Sequence, residues 1–347
     1  MKKLYSSIFP IFAVALLFVG CASSSGSYLA IEGAMLGTTY HLKAQLPLST
    51  RRQIVEQIDM LNAKMISEMS LFDPESQLSR INRGESDELT PWLEDNIRLA
   101  DSISRLSDGV YDITVAPLVK AWGFGADRRT ESPNVDSLLQ FVGYEGISIV
   151  QGRIVKRDSR TQIDLNSIAK GYTVDRLASI LESYGAQNYI IEVGGELRFR
   201  GVNPSGEGWR VGIETPVDGN MSDGQLLERR IQIDPNSPLR AMATSGNYRR
   251  FYLTEDGEKI VHTIDPKTGR SFSSELLSVS VLAPSCAEAD AYATMLMAAG
   301  DQKAEELAQK IENCEVYFIY NNARAREEES EYREYISDEI RGMLLED

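Results

Sequence analysis

At 347 residues, 42% apolar and 25% charged, the chain has the make-up of an ordinary globular protein, long enough for one large domain or two small ones. A net charge of −15 argues against nucleic acid as a partner, because a phosphate backbone needs a basic face. Part of that acidity is local: residues 326–347 form an acidic end piece that reads as a solvated helix or loose tail.

The chain opens with Lys2 and Lys3 before an apolar run from Ile8 to Val19, too short to span a bilayer comfortably. The run ends at Gly20-Cys21 and continues as Ala-Ser-Ser-Ser-Gly-Ser. A small residue, a cysteine and a Ser/Gly stretch resemble a bacterial lipoprotein signal. Phe18 stands where a leucine is usual. On that reading residues 1–20 are removed, Cys21 is acylated and residues 21–30 are a flexible tether. A plain secretory peptide is the alternative. Either way the mature protein is exported, and the lipid reading anchors it to a bacterial membrane, facing the periplasm. Cys286 and Cys314 then remain, read as two buried free thiols.

Tyr28 to Leu46 reads as strands around a turn centred on Met35 to Tyr40, where Gly37 permits a tight backbone. A helix follows, with Thr50 and Gln53 as a capping box and Ile54, Ile58, Leu61 and Met65 as its core stripe. Asp73-Pro74-Glu75-Ser76 is turn chemistry, placing Phe72 at a loop edge. A second helix starts with Thr90 as N-cap and Pro91 at its first position, and stops at Asp108-Gly109. Tyr111, Trp122 and Phe124 are interleaved with glycine, which suits either a slot for a planar ring or a core corner. Val135 to Phe141 reads as a short helix, and Ile147 to Lys156 as a hairpin about Gln151-Gly152.

Gln162 to Tyr172 reads as a strand feeding a helix that lasts to Tyr184 and ends at Gly185. Asp164, Asn166 and Lys170 would then gather at the helix start, a natural place for a phosphate or ion. Short strands with turns at residues 203–206 and 254–257 predict mainly antiparallel sheet. His262 is one of only two histidines, and its neighbours Asp265-Pro266 set a loop.

Cys286 to Gly300 predicts a buried helix, with Ala287, Ala291, Met295 and Ala298 on one side. Asp290 and Thr294 are one turn apart and point the same way. A carboxylate and a hydroxyl on one rigid face suit a hard cation such as Mg2+. The alternative is a helix-start aspartate beside a threonine that bonds back to the preceding turn.

Together these segments resemble the ApbE family of flavin transferases. The matching stretches are Met35 to Thr38, Met69 to Asn82, Gly109 to Gly125, Ile163 to Asp175, Glu192 to Gly195, Ala243 to Tyr248, His262 to Gly269 and Ala289 to Thr294. The resemblance implies an α+β, T-fold-like architecture in residues 31–325, with two lobes around a flavin cleft. It implies FAD as substrate, lined by Met35, Phe72, Tyr111, Asp112, Asp164, Lys170 and Ile264. It also implies Mg2+ at the diphosphate, held by Asp290 and Thr294 with backbone oxygens near Ser167 and Ala293. Lys170 stands where some relatives carry an acidic residue. The family moves FMN from FAD to a threonine or serine hydroxyl and releases AMP. Its acceptors are flavoprotein subunits of membrane redox complexes or exported reductases.

A metal-held diphosphate accounts for most of such a reaction through positioning and electrostatics, and His262 is the candidate general base, or else a structural histidine. Two other readings fit the same residues. One is a metal-dependent FAD pyrophosphatase that gives FMN and AMP; the other is a flavin-binding lipoprotein without turnover.

Overall fold

The computed structural model describes residues 27–124, 133–217, 227–248, 251–254, 259–271, 274–322 and 331–345. Cys21 and the expected signal stretch, like residues 255–257 of the expected turn, lie outside them. β1 (Tyr28–Met35) and β2 (Thr38–Gln45) form the expected hairpin. Leu36 and Gly37 both take positive φ, 50° and 76°, the two-residue turn whose twist matches antiparallel strands. Residues 28–30, expected in the tether, are already strand, because they pair with Gln45, Ala44 and Lys43.

α1 (Arg51–Met69) buries Ile54, Ile58, Leu61 and Met65 as their spacing requires. The expected capping box is absent: Thr50 closes a short 3-10 turn, and its hydroxyl donates to the Pro47 carbonyl at 2.7 Å. A short helix, α2 (Gln77–Arg83), stands in a stretch whose turn residues predict only loop. Ser76 caps it by accepting from the Ser79 N–H, and Gly84 ends it at φ 76°. α3 (Pro91–Leu106) begins as expected, with Thr90 accepting from the Leu93 N–H. Next come α4 (Ala116–Ala121), α5 (Val135–Leu139) and the hairpin of β3 (Ile147–Val150) and β4 (Arg153–Lys156).

The strand expected from Gln162 into the next helix does not form. Gln162 makes an isolated bridge to Val115 and the Asp164 N–H donates to the Ile113 carbonyl at 2.7 Å, while side chains bond other backbone groups of the stretch. Asn82 bonds both the N–H and the carbonyl of Ile163 at 2.8 Å, and the Asp164 carboxylate accepts from the Asn166 N–H at 2.7 Å. α6 (Ala169–Ser183) follows, and Gly185 just beyond its end takes φ 88°.

The remaining elements are β5 (Tyr189–Val193), β6 (Glu196–Arg200), β7 (Arg210–Glu214), β8 (Leu227–Gln232), β9 (Ala241–Gly246), β10 (Phe251–Leu253), β11 (Lys259–Val261), β12 (Leu276–Ala283), α7 (Cys286–Ala308), β13 (Glu315–Asn321), β14 (Tyr332–Ile336) and α8 (Asp338–Met343). Eight strands form one sheet in the order β1-β2-β5-β6-β9-β12-β13-β14, with every neighbouring pair antiparallel. This is the expected α+β architecture with mainly antiparallel sheet.

The period of two sorts the strands' side chains between two cores. Leu42, Ile191, Val281 and Phe318 pack toward α1, α6 and α7. Phe199, Leu282, Tyr317 and Ile319 pack the other way, onto Trp209 and Ile213 by β7, Ile231 of β8, and Ile340 and Met343 of α8. No helix among the described residues is long and apolar enough to cross a membrane.

The acidic end piece is not a loose tail over its described part. Tyr332 to Ile336 extends the sheet beyond β13, and α8 buries Ile340 completely in the second core. Its charges, such as Asp338 and Glu339 at the start of α8, hid a short apolar pattern. Ile340→Ala is expected to lower the unfolding free energy by about 2–5 kcal/mol, the range for a large buried aliphatic residue. Chemical denaturation measures this; a loss near zero would mean the end piece does not contribute to the fold.

Candidate active site

The site is built where α6 meets α7. The start of α7 is held twice. Ser285 and Glu288 form a capping box, Ser285 Oγ accepting from the Glu288 N–H and Glu288 Oε2 from the Ser285 N–H. From α6, the Asp175 carboxylate accepts from the Cys286 and Ala287 N–H groups at 2.9 and 3.0 Å, and it is ion-paired with Arg198 of β6. An acidic group at a helix N-terminus is favoured by the exposed N–H groups there.

Four residues before Asp175, on the same face of α6, Gly171 allows the helices to touch. A Cβ placed on it would lie 2.2 Å from the Cys286 carbonyl oxygen and 2.8 Å from the Asp290 Cβ. That closeness lets the Gly171 N–H donate to Asp290 Oδ2 at 3.0 Å. Asp290 is only 4% exposed; burial raises its pKa, against the opposing pull of Lys170 and the Gly171 N–H. One turn on, the Thr294 hydroxyl meets Ser245 Oγ of β9 at 3.4 Å rather than closing back on the helix. Ala293 beside it is buried.

Tyr111 is buried within the electrostatic reach of three acidic groups. Its hydroxyl shares a 2.8 Å hydrogen bond with Ser167 Oγ. Burial pushes its pKa up, and the carboxylates of Asp290, Asp164 and Asp112 push it further. Asp112 accepts from the Thr114 N–H, the Thr114 hydroxyl and the Tyr144 N–H, at 2.6 to 2.7 Å, and burial holds its pKa above the usual carboxylate value. Lys170 forms an ion pair with Glu196, which is 2% exposed at the start of β6. The fold therefore brings Tyr111, Asp112, Asp164, Ser167, Lys170 and Asp290 into one neighbourhood.

The other residues sit on separate segments. Met35 is buried before the β1–β2 turn, while Phe72 is 67% exposed in a turn whose N–H groups donate to Ser70 Oγ. His262 packs edge-on to Phe124 at 6.3 Å, and Ile264 pairs with Ser271. The Asp265 carboxylate closes the loop from the Lys267 N–H and the Thr268 hydroxyl. Trp122 Nε1 donates to the Gly269 carbonyl at 2.8 Å, and the Tyr252 hydroxyl to the Trp122 carbonyl at 3.0 Å. The interleaved aromatics thus brace the histidine loop, as a corner does.

Similarity to known proteins is high over this whole arrangement. The profile of the ApbE family matches residues 36–318. The FAD:protein FMN transferase of Haemophilus influenzae is 34% identical over 92% of this chain and 93% of its own length. The chain belongs to the ApbE family. The FAD:protein FMN transferase of Escherichia coli K12 is 30% identical, over 96% of each chain. The solved flavin transferase ApbE from Vibrio cholerae superposes with a TM-score of 0.78 at 31% identity, covering 92% of this chain and 99% of that one.

In this ApbE chain, sequence reasoning passed over Gly171, Asp175, Arg198 and the Ser285 capping box. Two signals were available: Ser-Cys-Ala-Glu before an apolar helix, and a glycine with a carboxylate four residues on. The two cysteines are unbonded, but only Cys286 is fully buried; Cys314 is half-buried. Burial pushes the Cys286 thiol well up and the Cys314 thiol up to about 12. Neither is expected to alkylate at mildly alkaline pH in the native protein, while both should react after denaturation. Rapid native labelling, read by mass, would contradict this burial.

Proposed function

We propose that this chain is an FAD:protein FMN transferase that uses Mg2+ and modifies a threonine or serine of a partner flavoprotein. The observation that carries the reading is that relatives spanning over nine-tenths of the chain bear that activity in their names, while the chain keeps a buried carboxylate at the α6–α7 contact.

The residues fit a hard cation. Asp290 uses Oδ2 for the Gly171 N–H, and no hydrogen bond reaches its Oδ1 among the described residues. Asp290, Asp164 and Asp112 all push the Tyr111 pKa up, so their negative field reaches the site and disfavours a diphosphate unless a cation offsets it. Among the described residues no three His, Cys, Asp or Glu side chains gather to hold a metal. By the family resemblance the cation would rest on Asp290, the Thr294 hydroxyl and carbonyl oxygens near Ser167 and Ala293, an all-oxygen set that suits Mg2+. When bound, it neutralises the diphosphate and stabilises the departing phosphate.

The chain's own groups do the rest. Lys170, fixed by Glu196, holds a positive charge beside Asp290. Tyr111 and Ser167 fix the floor of the site through their shared hydrogen bond. The acceptor hydroxyl oxygen forms a bond to the FMN phosphorus, the bond from that phosphorus to the AMP oxygen breaks, and AMP leaves. The hydroxyl proton goes to the His262 imidazole, set on its braced loop. His262→Ala is expected to lower kcat by about 10²–10⁴-fold with little change in KM for FAD. A loss below tenfold would remove the base role.

The acceptor on this reading is a subunit of a membrane redox complex or an exported reductase, and the enzyme itself is tethered to the membrane through Cys21. Incubating the protein with FAD, Mg2+ and a candidate acceptor, then weighing the products, tests the activity. Acceptor-bound FMN with free AMP is expected. Free FMN and AMP alone would make the chain a pyrophosphatase, and unchanged bound FAD would make it a carrier.

A further inference from the structure

We propose that the end of the main sheet where β1 begins lies against the membrane, with Leu48 among the lipid headgroups and Lys43, Arg51 and Arg52 facing anionic phosphates. The inference rests on the tether reading of Cys21.

Chain length sets the geometry. Cys21 precedes the first strand residue, Tyr28, by seven positions. Even fully extended, a stretch of that length spans at most about 25 Å. A globular body of this size is about 50 Å across, given its radius of gyration of about 20 Å. The tether is therefore shorter than the body it carries, and the surface around its exit is the one held at the bilayer.

The groups around that exit suit the position. Tyr28 pairs with Gln45 at the end of β2, so the segment from Pro47 to Arg52 emerges beside the tether. Leu48 is 65% exposed in the short 3-10 turn there. Arg51 is exposed and its Nη1 donates to the Ala30 carbonyl at 2.6 Å, fixing the start of α1 to β1. Lys43 is exposed and pairs across the hairpin with Ala30. Arg52 is exposed, with Glu56 at 3.6 Å as its surface partner. Lys43 and Arg51 also line an open depression of about 540 Å³, where His41 is paired with Glu192 and Glu32 supplies one further carboxylate.

In a chain of net charge −15, this exit presents three cations and an exposed leucine. Cations within a Debye length of an anionic leaflet are attracted to it, and an apolar side chain beside them gains by leaving water. The tether makes both contacts intramolecular in effect, so neither has to be strong alone.

The test uses the full chain, produced with its signal and reconstituted in vesicles of phosphatidylglycerol and phosphatidylethanolamine. Mass measurement first establishes whether Cys21 is acylated. An environment-sensitive fluorophore is then placed at Leu48→Cys or, as a control, at the exposed Val150→Cys, each in a Cys314→Ser background. The label at position 48 is expected to be quenched at least threefold more by lipid-borne quencher than the label at 150. The charge reversals Lys43→Glu and Arg52→Glu together should remove most of that difference while the far-ultraviolet spectrum stays unchanged. Acylated protein with equal quenching at both positions, or a difference that charge reversal leaves intact, would overturn the docking surface alone. A chain without an acyl group would overturn the tether reading and this surface with it.

Discussion

Asp290→Asn and Asp290→Ala are both expected to lose flavin transfer by about 10³-fold or more, the scale on which removing a group that holds developing charge is felt. The two variants should differ in stability. Asparagine keeps an oxygen for the Gly171 N–H, whereas alanine leaves that buried donor without its partner, at about 1–3 kcal/mol. Burial disfavours the Asp290 charge, so in the metal-free protein the asparagine variant should be no less stable than the parent.

The thermal readout separates a lost cation from a damaged fold. Added Mg2+ should raise the parent's melting temperature, because a ligand that binds only the native state stabilises it, by about 2.7 kcal/mol at a hundred times its dissociation constant. Both variants should show no such rise. pH adds a sign: only the ionised carboxyl binds the cation, and its pKa is raised by burial. More Mg2+ should therefore be needed for half-maximal activity as pH falls, starting above the usual carboxylate range. A variant with full activity and an intact Mg2+ response would remove Asp290 from the site.

Gly171→Ala should damage both the fold and the site although it adds only one methyl group. The added carbon would meet the Cys286 carbonyl oxygen at 2.2 Å, and backbone cannot swing aside as a flexible side chain can. α6 and α7 must separate, which costs about 1–3 kcal/mol as overpacking and stretches the hydrogen bond to Asp290 Oδ2. Because a displacement of about 1 Å at a reacting centre can cost 10²-fold, the fall in kcat should exceed what the stability loss alone accounts for. Denaturation together with kcat at saturating Mg2+ measures both. Parental stability and turnover would show that the two helices are not in direct contact at this point.

Both effects act at a contact between residues 119 positions apart, which separates what was legible in the chain from what was not. The α1 stripe, the Thr90 cap, the β1–β2 and β3–β4 turns and the antiparallel character of the sheet all follow from spacing and turn chemistry within a few neighbours. The pairing of Asp290 with Thr294 on one helical face is of the same kind, since i,i+4 geometry needs no partner. Local signals also misled: Thr50-x-x-Gln53 matched a capping box that a 3-10 turn displaced, and the acidic end piece concealed a strand and the buried Ile340.

By itself the sequence determined the class of fold, the family and the residue types able to hold an oxygen-liganded cation, because periodicity and ordered motifs are properties of neighbouring positions. Only the tertiary structure decided that Tyr111 meets Ser167, that Lys170 pairs with Glu196, and that Asp175 and Gly171 hold α7 against α6. Those contacts arise when distant segments are brought together by a shared core, and burial then sets the charge state of each group. No short stretch of chain contains that information.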